Sequence, residues 1–168
     1  MEVTTDIQLK GTAWNKAIDS LSCIFKTRTI YSIYILCLSI GILYDRRIAE
    51  PSENGEEIRS VPRIVIQNND NGKMDYYYQA AILSTTTEDF TEDKRLELAF
   101  GEKSNGDFNK VKFLTQFANY GVTILIDKIG ASPIETMENI KNFIISTIEG
   151  RNLDIDALPD DILLNDGD

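Results

Sequence analysis

Paired carboxylates are the residues of this sequence whose types and spacing come closest to catalytic chemistry. Metal-dependent nucleases combine acidic residues with a nearby lysine, and Glu92, Asp93 and Lys94 meet that requirement in outline. Acidic residues are also favoured in the first turn of a helix by the helix dipole, and we interpret this cluster as a solvated helix start. The other pairs are Glu56 with Glu57 and Glu88 with Asp89.

Other catalytic machinery is missing from the sequence. The chain has no histidine, which removes the commonest general base and the commonest zinc ligand. It has no glycine-rich phosphate loop or dinucleotide-binding turn, and the polar run at residues 68–72 lacks a glutamate at the spacing that would close a calcium site. The sequence therefore predicts no catalytic residues, no metal ligands and no cofactors.

Three consecutive tyrosines, Tyr76, Tyr77 and Tyr78, are candidates for binding. They lie in a helix predicted over residues 74–84, where a period of 3.6 residues turns at least one of them towards the core. Three roles are open to these side chains: core packing, a protein interface and stacking on nucleic-acid bases. For a protein interface, Tyr76 and Tyr77 are the residues we select.

The charge distribution opposes autonomous binding to nucleic acid. The net charge is −10, with the acidity concentrated in the middle and at the end of the chain, so the overall field repels a polyanion. Lys26 and Arg28 precede a long apolar segment and Arg46 and Arg47 follow it, about 24 Å away along a helix. We predict two small basic patches that serve mainly as salt-bridge donors, with nucleic acid contacted only indirectly or within a complex.

Apolar periodicity predicts a mainly α fold, α+β at most, with one core in residues 1–150. Residues 29–44 carry no charge but are too few for the roughly 20 residues of a membrane span, so they predict a central core helix. Residues 1–11 predict an irregular arm and 50–60 an exposed loop. The β-branched run at 63–67 predicts a strand that pairs with the arm at residues 3–9. The predicted helices cover residues 13–25, capped by Thr12, and 29–44, 74–84, 90–100, 109–129 and 133–149.

Gly121 interrupts the apolar stripe of the helix predicted over residues 109–129. Glycine inside a helix costs about 1 kcal/mol relative to alanine. We therefore expect a second backbone to approach this position closely.

Cysteine usage and the start of the chain predict a cytoplasmic protein that does not act in a membrane. Cys23 and Cys37 lie among apolar residues without metal-ligand spacing, which favours buried thiols in a reducing compartment. Residues 1–10 lack the basic and apolar regions of a secretion signal.

The last 18 residues, 151–168, predict an acidic, partly apolar tail. They contain six aspartates together with six large apolar side chains, among them Leu158, Ile162 and Leu163. A purely solvating tail has few apolar residues, so we expect these side chains to dock on a partner. Docking of the tail on its own core is the alternative, and the helix predicted over 109–129 is a second candidate for the partner contact.

Two stretches resemble a known family. They are residues 24–27, which lead into the apolar helix and the pair Arg46 and Arg47, and residues 117–121 with the sequence Phe-Ala-Asn-Tyr-Gly. Their order resembles the small accessory proteins of DNA-phosphorothioation (Dnd-type) restriction systems, and more distantly the middle components of three-component ABC-ATPase (Lamassu-type) anti-phage systems. Either resemblance implies a compact helical, non-enzymatic defence subunit.

These observations leave three classes of function open. The first is an accessory or adaptor subunit of a bacterial anti-phage defence complex that binds larger protein subunits, with homo-oligomers also possible. The second is an acidic, phage-encoded inhibitor or DNA mimic, suggested by the net charge of −10. The third is an enzyme with an unrecognised carboxylate site. We favour the first, because catalytic residues are missing, the loop at residues 50–60 and the amphipathic tail suit protein contacts, and the resemblance points the same way.

Overall fold

The computed structural model describes residues 3–26, 29–51, 57–101 and 108–149. The fold is mainly α with one small antiparallel sheet, as the periodicity predicted. The elements in chain order are β1 (Ile7–Lys10), α1 (Thr12–Leu21), α2 (Thr29–Tyr44), β2 (Ile58–Val61), α3 (Arg63–Asn69), α4 (Lys73–Ser84), α5 (Glu92–Phe100), α6 (Lys110–Ile126) and α7 (Pro133–Glu149).

The helices α2 and α6 form the centre of the molecule and make its most extensive contact. Residues on both helices, such as Tyr34, Leu38, Leu114 and Phe117, are completely buried. The prediction of a central apolar helix over residues 29–44 is confirmed in both its bounds and its burial. None of the helices in the described ranges is both long and apolar enough to cross a membrane.

Two glycines bring the backbones of α2 and α6 into direct contact. A Cβ atom on Gly41 would lie 2.9 Å from Phe117 Cα, and one on Gly121 would lie 3.0 Å from Cys37 Cα, with the carbonyl groups of Phe117 and Cys37 closer still. The contact is reciprocal because each glycine faces the residue four positions before the other glycine. The close approach predicted from Gly121 is therefore confirmed.

The sheet joins the N-terminal arm to the segment before α3. Strands β1 and β2 are antiparallel, with Ile7 opposite Val61 and Lys10 opposite Ile58. The prediction of an irregular arm over residues 1–11 is thus wrong for β1. The prediction of an exposed loop over residues 50–60 is also wrong at its end, where β2 begins.

The prediction of a strand over residues 63–67 is wrong, because these residues form most of α3. Only Ile66 of its β-branched run is fully buried, whereas Ile64 is exposed, so the run does not form a strand face. Pro62 precedes the helix with an extended backbone, and the Asp6 carboxylate accepts a 2.9 Å hydrogen bond from Arg63 N. This contact from the arm satisfies a helix-start donor that the local sequence leaves unpaired.

The first helix is shorter than predicted. It begins after Gly11, whose φ of 105° only glycine adopts easily, so the predicted cap at Thr12 is wrong by one residue. It ends at Leu21 rather than near residue 25. Cys23 therefore lies in the following turn and is exposed, which corrects the expectation of a buried thiol, whereas Cys37 is buried as predicted. Burial raises the pKa of the Cys37 thiol.

Asn119 links three parts of the core. Its side-chain oxygen accepts a 3.0 Å hydrogen bond from Trp14 Nε1 on α1, and its Nδ2 atom donates a 2.7 Å hydrogen bond to the carbonyl of Ala49. The segment after α2 is also held to α6 by the hydrogen bond from Ile48 N to the Gln116 carbonyl. Asn119 is almost fully buried, and its bond with Trp14 forms away from water, whereas the bond to Ala49 is partly buried.

Candidate docking surface

The carboxylates that most resembled a catalytic cluster lie at the start of α5. Glu92 and Asp93 are exposed in its first turn, and the hydroxyl of the N-cap residue Thr91 accepts a hydrogen bond from Lys94 N. The Lys94 ammonium pairs with Glu97 at 3.0 Å. Within the described part of the chain, no group of three or more acidic or cysteine residues is arranged to hold a metal ion. The surroundings of Glu92 and Asp93 are those of a solvated helix start.

Asp45 and Arg47, just after α2, fix the loop between α4 and α5. The Asp45 carboxylate accepts hydrogen bonds of 2.6 Å from the Thr85 hydroxyl and 2.6 Å from Thr86 N. Arg47 pairs with Glu88 at 2.6 Å and lies over the ring of Phe113, with 4.8 Å between the guanidinium and the ring centroid. These charges are therefore used to hold the fold together.

Arg95 on α5 holds the same loop from its other side. Its guanidinium donates to the carbonyls of Ile82, Thr85 and Glu88 at 2.9, 2.6 and 3.2 Å. The last turn of α4 thus obtains a partner for a carbonyl group that a helix end leaves unpaired, and two further bonds fix the loop that follows.

The carboxylate of Asp45 should make the stability of the protein depend on pH. Burial raises the pKa of Asp45, but hydrogen bonds from Thr85 and Thr86 and the Arg47 charge outweigh it, so the pKa lies below its ordinary value of 3.8. A carboxyl group whose pKa is lowered by folding stabilises the protein above its ordinary pKa and loses that contribution as the pH falls below it.

We predict that Asp45→Asn lowers the free energy of unfolding by about 1–2 kcal/mol at neutral pH, and that the deficit shrinks below the ordinary pKa of 3.8. Asparagine tolerates the left-handed backbone of position 45, where φ is 48°, so the substitution tests the charge and its hydrogen bonds. Urea unfolding of both proteins at neutral pH and at about pH 3 measures the effect. A deficit of equal size at both pH values would show that ionisation of Asp45 is not the cause.

The three tyrosines on α4 face in different directions. Tyr78 is buried, which confirms that at least one of the three faces inward, and its burial raises its pKa to about 12. Tyr77 is half-buried, and its hydroxyl accepts a 3.0 Å hydrogen bond from the Ser39 hydroxyl. Tyr76 is exposed. Of the two tyrosines selected for a protein interface, Tyr76 is thus the more accessible, and that role stays a prediction for both.

The residues of the two predicted basic patches differ in exposure and in pairing. Lys26 and Arg46 are exposed. Arg47 is largely buried and pairs with Glu88, which agrees with the salt-bridge role. Arg28 lies outside the described residues, and so do the tail residues Leu158, Ile162 and Leu163 selected for protein binding.

A concave region of about 600 Å³ lies between the N-terminal arm and the start of α6. Several of its polar groups already have partners inside the molecule. Asp6 accepts from Arg63 N, Asn109 caps α6 by accepting from Lys112 N, and Thr115 donates to the Val111 carbonyl. These groups are therefore used within the fold, one between the arm and α3 and two at the start of α6.

The last described helix, α7, begins with a well-formed cap. The Ser132 hydroxyl accepts a hydrogen bond from Glu135 N, and the Glu135 carboxylate accepts one from Ala131 N at 2.8 Å. Thr136 is buried and its hydroxyl accepts from Gly130 N. Such reciprocal capping defines where a helix starts, so α7 leaves the turn after α6 in a fixed direction.

Apolar residues occur on two faces of α7. The inner face carries Ile140 and Phe143, which pack against the core, and the Lys128 ammonium lies 5.3 Å from the centre of the Phe143 ring. The outer face carries four of the eleven exposed large apolar side chains of the described residues. These four are Ile134, Met137, Ile144 and Ile145, with exposed fractions of 71%, 54%, 41% and 40%. We call them the outer face of α7.

The outer face continues into an apolar groove formed with the turn after α1. Ile24 and Phe25 in that turn face Met137, Ile144 and Ile145 across a space of about 300 Å³. The only charged residue in its wall is Lys141. Contiguous exposed apolar surface is typical of interaction sites, so the groove is the candidate docking surface among the described residues.

The helix predicted over residues 133–149 carried no prediction of an exposed apolar face, so this surface was missed. One core-facing stripe of a helix spans little more than a quarter of its circumference. This helix has too many large apolar residues for a single stripe over three turns. They stand at positions 134, 137, 140, 143, 144 and 145. That excess was the signal available in the sequence. The helix predicted over 109–129, the second candidate for the partner contact, is the central α6, and its role in binding stays a prediction.

Comparison with known proteins adds no relative. No family model, curated protein or solved structure matches this chain at a significant level.

Proposed function

We propose that this protein is a non-enzymatic binding subunit that attaches to a larger protein through the outer face of α7. The observation that supports the proposal is the exposed apolar groove between α7 and the turn after α1. A helix or strand of the partner with two or three apolar side chains would fill it, which is the common way in which an apolar groove recognises a peptide segment.

The expected affinity is moderate. Complete burial of an isoleucine or methionine contributes roughly 1.5–3 kcal/mol, and the four outer-face residues are already about half covered. Covering the rest would contribute roughly 3–6 kcal/mol before the cost of association. Such a surface can dock a segment of a partner, while a tight complex would need further contacts such as Tyr76.

The kind of complex is proposed from the sequence resemblance. It suggests that the larger subunit belongs to a bacterial anti-phage defence system. An acidic inhibitor or DNA mimic is the second candidate and would need carboxylates clustered on one surface at phosphate-like spacing. Asp45, Glu88 and Asp19 instead form hydrogen bonds or ion pairs with Thr85, Arg47 and Arg59, whereas Glu92 and Asp93 are exposed.

Substituting the exposed residue Met137 by glutamate tests the proposal. We expect Met137→Glu to reduce the affinity for the partner at least about tenfold, because a charge in the groove opposes burial. The partner is first identified by mass spectrometry of complexes that contain the chromosomally tagged protein in its native host. Binding is then measured by calorimetry with the two purified proteins.

The matched control is Ile64→Glu on α3, because Ile64 is exposed to a similar extent, 57% compared with 54% for Met137. This control should bind like the unmodified protein. Equal binding by all three proteins would exclude the groove as the docking surface. A metal-dependent hydrolysis that Asp93→Asn abolishes would instead favour an enzyme.

A further inference from the structure

We propose that the C-terminal segment of residues 153–164 occupies the groove between α7 and the turn after α1 within the same molecule, so that a partner must displace it. This inference rests on the proposed function in that it takes the outer face of α7 to be a docking site. It adds the identity of the first occupant and a way in which access to the site is regulated.

The position of the segment along the chain supports this occupant. The helix α7 ends at Glu149, and only residues 150–152, with the sequence Gly-Arg-Asn, separate it from Leu153. Three residues that start with glycine suffice for a chain to reverse after a helix. With 17 residues, α7 is about 25 Å long. Pro159 interrupts a continuous helix over this 12-residue segment, whereas the extended segment spans about 40 Å. It is therefore long enough to cover the groove in an extended conformation.

The composition of the segment matches the groove. Its large apolar residues are Leu153, Ile155, Leu158, Ile162, Leu163 and Leu164, enough to cover the outer face of α7. Its four aspartates carry charge opposite to that of Lys141 in the groove wall. Lys26, next to Phe25, is also exposed, and Lys128 lies over Phe143. The nearby acids Glu135 and Glu138 are confined to the first two turns of α7.

A second copy of the protein fits the groove less well. A helix face about 25 Å long and about 10 Å wide presents roughly 250 Å² in projection, whereas each side of a standard stable interface buries roughly 800 Å². Each copy also carries a net charge of −10, which opposes self-association. The attached tail needs less affinity, because its short connection gives an effective concentration in the millimolar range.

A spin label on Cys23 of the full-length protein tests the proposal without any partner. Cys23 is exposed and directly precedes Ile24 and Phe25 in the groove wall, whereas Cys37 is completely buried and is expected to stay unlabelled. In nuclear magnetic resonance spectra of the protein labelled with nitrogen-15, the amide signals of residues 153–164 should lose most of their intensity. The loss should not change on dilution.

Two variants identify the contact. Met137→Glu, on the groove side, should restore the tail signals, and so should Ile162→Ser combined with Leu163→Ser, on the tail side. The matched control Ile64→Glu should leave them attenuated. Circular dichroism confirms that each variant keeps its helices.

Three outcomes would overturn the proposal. One is a tail whose signals keep their intensity in the unmodified protein. Another is attenuation that persists in both variants. The third is attenuation that arises between molecules, which would make a second copy the occupant. It is detected by mixing spin-labelled protein at natural isotope abundance with nitrogen-15 protein that has no spin label. None of these results bears on the calorimetric measurement with the partner, so the proposed function stands or falls separately.

Discussion

Replacing Gly121 by alanine is expected to lower the free energy of unfolding by at least about 3 kcal/mol, the upper end of the usual penalty for overpacking a core. The new methyl group would overlap the backbone of Cys37 on α2, with its carbon 2.6 Å from the carbonyl carbon. A backbone cannot rotate away as a side chain can, so α2 and α6 would have to move apart. These two helices make the most extensive contact in the described fold, so the loss of packing would spread along both.

Thermal and urea unfolding measure this effect. For a chain of this size 1 kcal/mol corresponds to about 2–4 °C in Tm, so a decrease of about 6–12 °C or more is expected. The matched control is Gly130→Ala, where the new Cβ atom would meet the side chain of Glu135, an exposed residue that can move at the cost of its hydrogen bond from Ala131 N, about 1 kcal/mol. A Gly121→Ala protein as stable as this control would contradict the close crossing of the helices.

The same crossing predicts strong coupling between the two glycines. Gly41→Ala would press on the backbone of Phe117 from the other side of the contact. Once either methyl group has separated the helices, the second meets less resistance, so the double variant should lose less stability than the two single losses combined. Additive losses would mean that the glycines lie in independent contacts.

Replacing Asn119 by alanine is the second substitution with a large expected effect, a loss of about 2–4 kcal/mol. It would leave the indole N–H of Trp14 without its partner at a buried site, and the carbonyl of Ala49 without its partner at a partly buried one. Each unsatisfied buried group costs about 1–3 kcal/mol. The loss should appear in urea unfolding as a lower midpoint with an unchanged slope.

A double-mutant cycle separates the Trp14 bond from the rest of the effect. Trp14→Phe removes the donor and keeps an aromatic ring, so Asn119→Ala should cost about 1–2 kcal/mol less in that background than in the unmodified protein. An equal cost in both backgrounds would show that the Trp14 bond contributes nothing to stability. The remaining loss would then be assigned to the segment around Ala49.

Local sequence was sufficient for most of the helices. The predicted helix over residues 29–44 agrees with α2 at both ends, and α4, α5 and α7 begin or end within about two residues of their predicted limits. Apolar periodicity, caps such as Ser132 and breakers such as Gly101 act between residues a few positions apart, so a single sequence records them. The exception is α3, because its first turn depends on Asp6, a residue 57 positions away.

The candidate docking surface, too, could be predicted only in part from the sequence. The excess of apolar residues at positions 134–145 is visible in the sequence, but their exposure depends on how α7 packs after the turn at Gly130 and on where Ile24 and Phe25 lie. The partners of the polar residues after α2 could not be predicted from the sequence either. Arg47 was predicted as a salt-bridge donor from its type, whereas its partner Glu88 and its position over Phe113 follow from the packing of three helices.

The sequence alone thus determined that the protein is mainly helical, that α2 is central and that Gly121 lies at a close contact. Each of these follows from the size, polarity or backbone freedom of residues that are neighbours along the chain. Only the tertiary structure decided that residues 63–67 form a helix, that Cys23 is exposed and that α7 keeps an apolar face towards solvent. Those outcomes depend on contacts between residues far apart in the chain, and the free energy of such contacts is set by the assembled core rather than by local sequence.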